Sequence, residues 1–256
     1  MDTSLLSGKR ALVLGIANEH SIAYGCARML KAAGAELAIT YLNDKAKPFV
    51  DPIAKELTSS IYTHCDVTKN DDLEELFKLI QKKWGHIDIV VHSIAYAPKQ
   101  DLQGSLVDCS KEGFLLAMDI SCHSFIRMAN LAKPLMNNGG TLFAMSFYGS
   151  EKVVEHYNLM GPIKAALEAS VRYLAVELGP RQIRVVALSP GPLKTRAASG
   201  LEQFDKLIEQ AKEKSPLKTL IDINDVGAML VFLASNYAKN ITGDTIYIDS
   251  GYHIVS

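Results

Sequence analysis

No two cysteines are closely spaced in this chain. Cys26, Cys65, Cys109 and Cys122 form no CxxC pair, which speaks against a zinc site or a redox dithiol and predicts buried, reduced thiols. There is no basic tract with interleaved aromatics, and a net charge of −1 with a pI near 6.7 provides no global field for nucleic acid, which is not expected as a partner. Long hydrophobic runs are also missing. VGAMLVFLA, residues 226–234, is far shorter than a bilayer span, and MDTSLLSGKR lacks the apolar core of a secretion signal. No membrane insertion and a cytoplasmic address are therefore expected. A long linker, a low-complexity segment and an internal repeat are absent as well. What is present is 256 residues, 48% hydrophobic and 21% charged, enough for one domain over residues 1–256 with a substantial core.

Apolar runs at residues 10–14, 36–41, 60–64, 87–93, 140–146, 183–189 and 245–249 read as seven strands, with helical periodicity in the intervals. The runs are nearly continuous in apolar residues rather than alternating. That is the pattern of a parallel sheet covered by helices on both faces, so the expected fold is a single-domain, doubly wound α/β sheet of the Rossmann type. Ligands of such sheets lie beyond the carboxyl ends of the strands, and the residues just after each strand carry the site.

The first strand, RALVLG, runs into a glycine turn and the helical SIAYGCARMLKAA, a strand–turn–helix suited to a dinucleotide. The common GxGxxG spacing is absent. In GIANEHSIAYG, Gly15 is the small turn residue, Ile22 opens the helix and Ser21 offers a hydroxyl to a pyrophosphate or caps the helix; a plain turn is the alternative. After the second strand come Tyr41, Leu42, Asn43 and Asp44, with no arginine. Asp44 either holds the adenosine ribose or caps the next helix, and NADH is expected over NADPH, with Lys45 and Lys47 weighing the other way. Asp66 in HCDVT is placed to accept from an adenine amino group with Val67 against the ring, or else to cap a helix from Lys69 to Trp84. Ser93, Ile94 and Ala95 are small enough to let a cofactor pass closely, and His92 reads as a packed strand histidine rather than a catalyst. In SPGPLKTRAASG, residues 189–200, the Leu193 backbone is expected near a carboxamide and Thr195 near phosphates. The following LEQFDKLIEQAKEKSP reads as a lid around residues 194–216 or as a static surface helix.

The most informative pair is Tyr157 and Lys164 in HYNLMGPIKAALEASVRYLAVEL. If both are helical, two turns place them on one face, and an ammonium beside a phenol favours the phenolate and eases loss of its proton. Pro162 lies between them. The spacing argument holds only if the helix begins near Tyr157 and the proline falls in its first turn.

Taken in order, GIANEHSIAYG, the CDV triplet, HSIAYAP, HYNLMGPIKAALEA, SPGPLKTRAASG and DSGYHIV resemble the bacterial enoyl-acyl-carrier-protein reductases of the FabI type, a divergent branch of the short-chain dehydrogenase/reductase superfamily. The resemblance covers essentially the whole chain. Ordinary superfamily members place lysine four residues after tyrosine, whereas position 161 here is glycine and lysine stands at 164. The resemblance implies NADH-dependent reduction of a trans-2-enoyl thioester, with NADPH as the other possible cofactor. Tyr157 would donate to the thioester oxygen and Lys164 would hold the nicotinamide ribose. It also implies a cofactor lining of Gly15, Ser21, Ile22, Asp66, Val67, Ile94, Lys164, Leu193, Lys194, Thr195, Arg196 and Ala197, with Ala97 and Tyr157 on the substrate. Acyl carrier protein is the implied partner, docking near Lys99, Lys194, Arg196 and Lys206, and a homotetramer the implied assembly. Two positions depart from the family. Phe147 stands where a first tyrosine is frequent, with Tyr148 one step later, and Leu42 stands where glutamine is common. Because strand-end side chains alternate in direction, Tyr148 cannot simply substitute: either the first hydroxyl is dispensable or the loop shifts by one residue, and the first is expected because Tyr157 and Lys164 alone supply the donor and the cation. Two rivals remain: a 3-oxoacyl or alcohol reductase using Ser146 as donor, and a non-catalytic NAD(P)-binding sensor.

Overall fold

The structure is a computed structural model and describes residues 4–195 and 204–255. Seven parallel strands form one sheet: β1 (Arg10–Leu14), β2 (Glu36–Tyr41), β3 (Ile61–His64), β4 (Ile89–His92), β5 (Gly140–Met145), β6 (Ile183–Pro190) and β7 (Thr245–Ile248). Their spatial order is β3-β2-β1-β4-β5-β6-β7, all pairs parallel. The chain winds outward from β1 in one direction and then, after β3, returns to begin the other half at β4. The switch point therefore lies between β1 and β4, where a crevice opens at the carboxyl ends.

Apolar residues are needed on both faces of every central strand, because each face has its own core. Leu12, Val90, Leu142 and Val185 face one core with Phe77, Trp84, Phe125 and Leu167. Their strand neighbours Val13, Val91, Phe143 and Val186 face the other, with Leu30, Val226 and Leu230. The first core is covered by α3 (Asn70–Trp84), α6 (Ser124–Ala132) and α7 (Met160–Leu178), and the second by α1 (Ile22–Ala32), α2 (Lys47–Glu56) and α9 (Ile223–Ala234). Between β4 and α6 lie the short α4 (Lys99–Gln103) and α5 (Lys111–Met118); α8 (Phe204–Lys214) precedes α9.

Two glycines set the closeness of α1 and α9. A Cβ on Gly25 would stand 2.2 Å from the Ile223 carbonyl oxygen, and one on Gly227 would stand 2.6 Å from that of Gly25. The backbones pack where no side chain fits, which holds α1, and the turn before it, against the sheet. At the start of α9 the Asp222 carboxylate accepts from the N–H groups of Asn224 and Asp225 while Asp225 accepts from Asp222, a reciprocal cap. One irregularity was not visible in the sequence: α5 and α6 are joined by a π-helical turn, Asp119–His123. Extra residues of this kind re-aim side chains. Here Ser121 Oγ accepts from Tyr96 N and donates to Tyr96 O, fastening the loop after β4.

Candidate active site

A cavity of about 480 Å³ opens at the carboxyl ends of β4, β5 and β6. Of the residues singled out from sequence, Ile22, Ile94, Ala97, Tyr157, Lys164, Leu193 and Thr195 line it. Gly15, Ser21, Asp66, Val67 and Lys194 do not, and Arg196 and Ala197 lie outside the described residues.

The β1–α1 turn is shaped by contact. Gly15 has φ +104, and a Cβ there would lie 2.0 Å from the Ser93 carbonyl oxygen, so the turn crosses directly over the end of β4. Ser21 occupies the cap position of α1 but does not cap it. Its hydroxyl instead accepts from the N–H groups of Ala17 and Asn18, at 3.0 and 3.1 Å, and braces the loop. The first turn of α1 is thus left without a side-chain cap, with Ile22 on the cavity, an arrangement that suits a phosphate. Asp66 does not cap the helix that follows it. One carboxylate oxygen accepts from Thr68 N and Oγ1, and the helix beyond starts at Lys69 and Asn70 without a side-chain cap. Val67 is buried in the core beside α3. Asp44 is exposed and does not cap α2; the carbonyl of Asn43 and its side chain take the Ala46 N–H. Lys47, which counted toward NADPH, is engaged with Asp51 at 2.9 Å over the rings of Tyr41 and Tyr62. Lys194 pairs with Asp205 at 2.8 Å.

Tyr157 and Lys164 both line the cavity, but not by the route their spacing implied. α7 starts at Met160, with Pro162 in its first turn, and Tyr157 precedes the helix. The tyrosine sits in a turn between His156 (φ 63) and Asn158 (φ 41), two left-handed residues that are not glycine. A shared helix face is therefore not what brings the pair together. The turn is braced from both sides: Asn158 Nδ2 donates to Leu102 O in α4 at 3.0 Å, and a Cβ on Gly149 would meet the Tyr157 ring at 2.6 Å. The expected effect of the cation on the phenol is also corrected. Burial pushes the Tyr157 hydroxyl above its ordinary range, and the charge of Glu168 pushes the same way. Both effects favour the neutral phenol over a phenolate. Lys164 donates to Met145 O at 2.6 Å, and burial lowers its pKa to about 8.

Phe147 lies on the cavity with its ring 4.8 Å from that of Tyr157, while Tyr148 turns away and packs on Tyr252 at 5.3 Å. The loop has not shifted to bring Tyr148 in, so the wall carries the phenyl ring of Phe147. Sequence reading missed the partners behind this wall. Glu168, one turn beyond Lys164, is buried and accepts from Ser146 Oγ and from Ser150 Oγ at 2.7 Å. The only sequence signal was an acid at an inward position of an otherwise apolar helix face.

His92 is fully buried, with Nε2 2.7 Å from Ser124 Oγ and the ring edge-on to Phe125. Burial, then the Lys164 charge, lowers its pKa from 6.5 to about 3. The unfolded chain then binds the extra proton first, so this residue costs stability as pH falls from about 6.5 toward 3. His92→Gln is expected to show a shallower fall of Tm over that interval than the parent; parallel curves would contradict the assignment.

A family model described as "Enoyl-(Acyl carrier protein) reductase" matches residues 15–253. The chain is 46% identical over 253 residues to the enoyl-[acyl-carrier-protein] reductase [NADH] 1 of Rhizobium meliloti, covering 99% of this chain and 93% of that protein. Its backbone matches the enoyl-(acyl-carrier-protein) reductase of Anaplasma phagocytophilum in complex with NAD, at TM-score 0.95 and 45% identity over 98% of this chain and 96% of that one. It also matches the Bacillus cereus enoyl-acyl carrier protein reductase with NADP+ and indole naphthyridinone, at TM-score 0.96 and 43% identity over 98% and 99%.

Proposed function

The chain belongs to the enoyl-acyl-carrier-protein reductase family, and from that premise we propose how its cavity performs the reaction. The protein is an NADH-dependent oxidoreductase that reduces the double bond of an enoyl thioester carried on acyl carrier protein, a step of fatty acid synthesis. The observation that carries the mechanism is the presence of a neutral phenol and a buried ammonium on one cavity at the switch point of the sheet.

The cavity's donors fit a dinucleotide: an uncapped helix start at Ile22 and the Lys164 ammonium inside, with the Gly15 turn packed on Ser93 beside them. NADH, when bound, supplies the hydride that goes to the substrate β-carbon. As that bond forms, the double-bond electrons move onto the thioester oxygen. The Tyr157 hydroxyl donates to this oxygen, and in a dry site such a bond strengthens as charge grows. Lys164 is proposed to hold the ribose hydroxyls with N–H groups not used by Met145 and to add positive potential. The enolate electron pair then returns to take a proton from solvent at the α-carbon, which restores the thioester carbonyl and completes the product. Ala97 is proposed to touch the acyl chain. In the cofactor groove, Ser21 acts by bracing the loop, Leu193 and Thr195 by lining the nicotinamide end, and Asp66 and Val67 by bounding the adenine end. Lys194, Arg196 and Ala197 belong to the same proposed lining.

Ser146 was the donor required by a ketone reductase. Its hydroxyl is given to Glu168, which favours the enoyl reading over that rival. α8 brings Phe204 to the cavity while Ile208 and Ala211 are buried, which supports a substrate cover by the described part of the 194–216 segment; its residues 196–203 lie outside the described residues. Lys99, Lys206 and Arg196 remain candidate contacts for the acidic carrier; Lys194 is a weaker one because Asp205 already neutralises it. Exposed Phe114, Leu115, Leu116 and Ile126 on α5 and α6 support assembly of several copies, proposed as a homotetramer. Among the described residues no helix is long and apolar enough to cross a membrane; the cytoplasm is the proposed site of action.

The experiment is spectrophotometric. NADH oxidation is expected with crotonyl thioester and not with acetoacetyl thioester, and more slowly with NADPH in parallel. Oxidation with acetoacetyl thioester alone would return the ketone-reductase reading; none with either would leave the sensor.

A further inference from the structure

Two serine hydroxyls converge on one buried carboxylate beside the cavity, one helical turn from a buried ammonium. Glu168 is 4% exposed and lies four residues after Lys164 on α7, also 4% exposed. Its Oε1 takes the hydrogen bonds of both Ser146, at the end of β5, and Ser150. Ser146 lines the cavity, so an unengaged hydroxyl there could compete for the thioester oxygen. A buried carboxylate costs several kcal/mol unless it is compensated, yet an apolar residue would pack at this position without needing the serines. We propose that Glu168 is a positioning residue of the reaction: it holds the Ser146 hydroxyl away from the substrate, with Ser150 donating to the same oxygen, and from one helical turn away it supplies the counter-charge to the Lys164 ammonium.

The surroundings leave this task to Glu168. Among the described residues, the titratable groups that face the Lys164–Glu168 region include His92 from β4, Cys122 from the π-helical turn, Tyr157 from its own turn and Tyr247 from β7. Burial keeps each of them uncharged near neutral pH: it lowers the histidine and raises the thiol and both phenols. Without Glu168 the ammonium would sit among neutral groups and the Met145 carbonyl, and would lose its proton at lower pH. A carboxylate also keeps the Tyr157 proton in place, since its charge opposes phenolate formation.

The inference rests on the enoyl reductase reading, and its test separates the two. The pH profile of kcat/KM with crotonyl thioester and NADH is measured for the parent, Glu168→Gln, Glu168→Asp and the double variant Ser146→Ala/Ser150→Ala. In the parent, activity should fall as pH rises through about 8, where Lys164 is neutralised. Glu168→Gln should move this alkaline limb down by about one pH unit. Glu168→Asp, which keeps the charge but withdraws it by a methylene, should move it less and in the same direction, and serves alone if the glutamine variant does not fold. The double serine variant should keep the limb in place, because the charge remains. An unmoved limb in the folded Glu168 variants overturns the proposal, as does an equal shift in the serine variant. A parent that oxidises no NADH at any pH removes the reductase reading instead.

Discussion

Tyr157→Phe is expected to lower kcat with crotonyl thioester by about 100-fold and to leave NADH affinity within about twofold, as loss of one donor to a developing oxyanion does. The size follows from the site. The phenol is 9% exposed and shielded by Phe147, so no bulk water replaces it as a donor when charge reaches the thioester oxygen. The binding surface is unchanged because the ring remains, lying against Gly149. Lys164→Ala should behave oppositely in the first step and weaken NADH binding, read by fluorescence titration. A Tyr157→Phe enzyme with full turnover would move the donor role to another group and leave Phe147 and Ser146 as the wall to re-examine.

The second large effect is at Gly15. Gly15→Ala is expected to destabilise the fold by about 3 kcal/mol, a Tm loss on the order of 10 °C, and to reduce NADH affinity at least tenfold. Two causes add. The residue has φ +104, where a side chain is strained, and the new Cβ would sit 2.0 Å from the Ser93 carbonyl oxygen and 2.7 Å from its carbon. Neither neighbour is the free end of a flexible side chain: Ser93 N donates to Leu14 O, tying the two strand ends together. Gly8→Ala is the control. Gly8 also has positive φ, +77, but nothing lies within 4 Å of its Cβ direction, so only the backbone strain of about 1 kcal/mol applies. Equal Tm losses in the two variants would show that the contact with Ser93 is not what makes glycine necessary.

The elements that were legible share a feature. Each of the seven strands was marked by its own apolar run, and the structure ends them within two residues of the expected limits, from Arg10–Leu14 to Thr245–Ile248. The helix expected from Lys69 to Trp84 runs from Asn70 to Trp84 and stops at Gly85 in the left-handed conformation. The direction of Phe147 was legible too, because alternation at a strand end is a local rule. The Tyr157 turn was not. Heptad spacing suggested a common helix face, but His156 and Asn158 take left-handed backbone that their own propensities do not demand, held by Asn158 on Leu102 and by the absence of a side chain at Gly149. Asp44 and Ser21 illustrate the same limit. Both types cap helices frequently, yet Asn43 serves α2, and the Ser21 hydroxyl turns back to Ala17 and Asn18.

The amino-acid order by itself determined a parallel, doubly covered sheet and a glycine turn into the first helix, and it singled out the tyrosine and lysine that line one cavity. It did so because strand burial, turn conformation and residue chemistry are properties of a few neighbouring positions. Only the tertiary structure decided that the phenol stays neutral, that the Ser146 hydroxyl on the cavity is given to Glu168, and that the lysine shares its buried setting with that carboxylate. Those outcomes depend on low-dielectric packing and on hydrogen bonds between groups such as Ser146 and Glu168, 22 positions apart, and such distances are set by the fold rather than by local pattern.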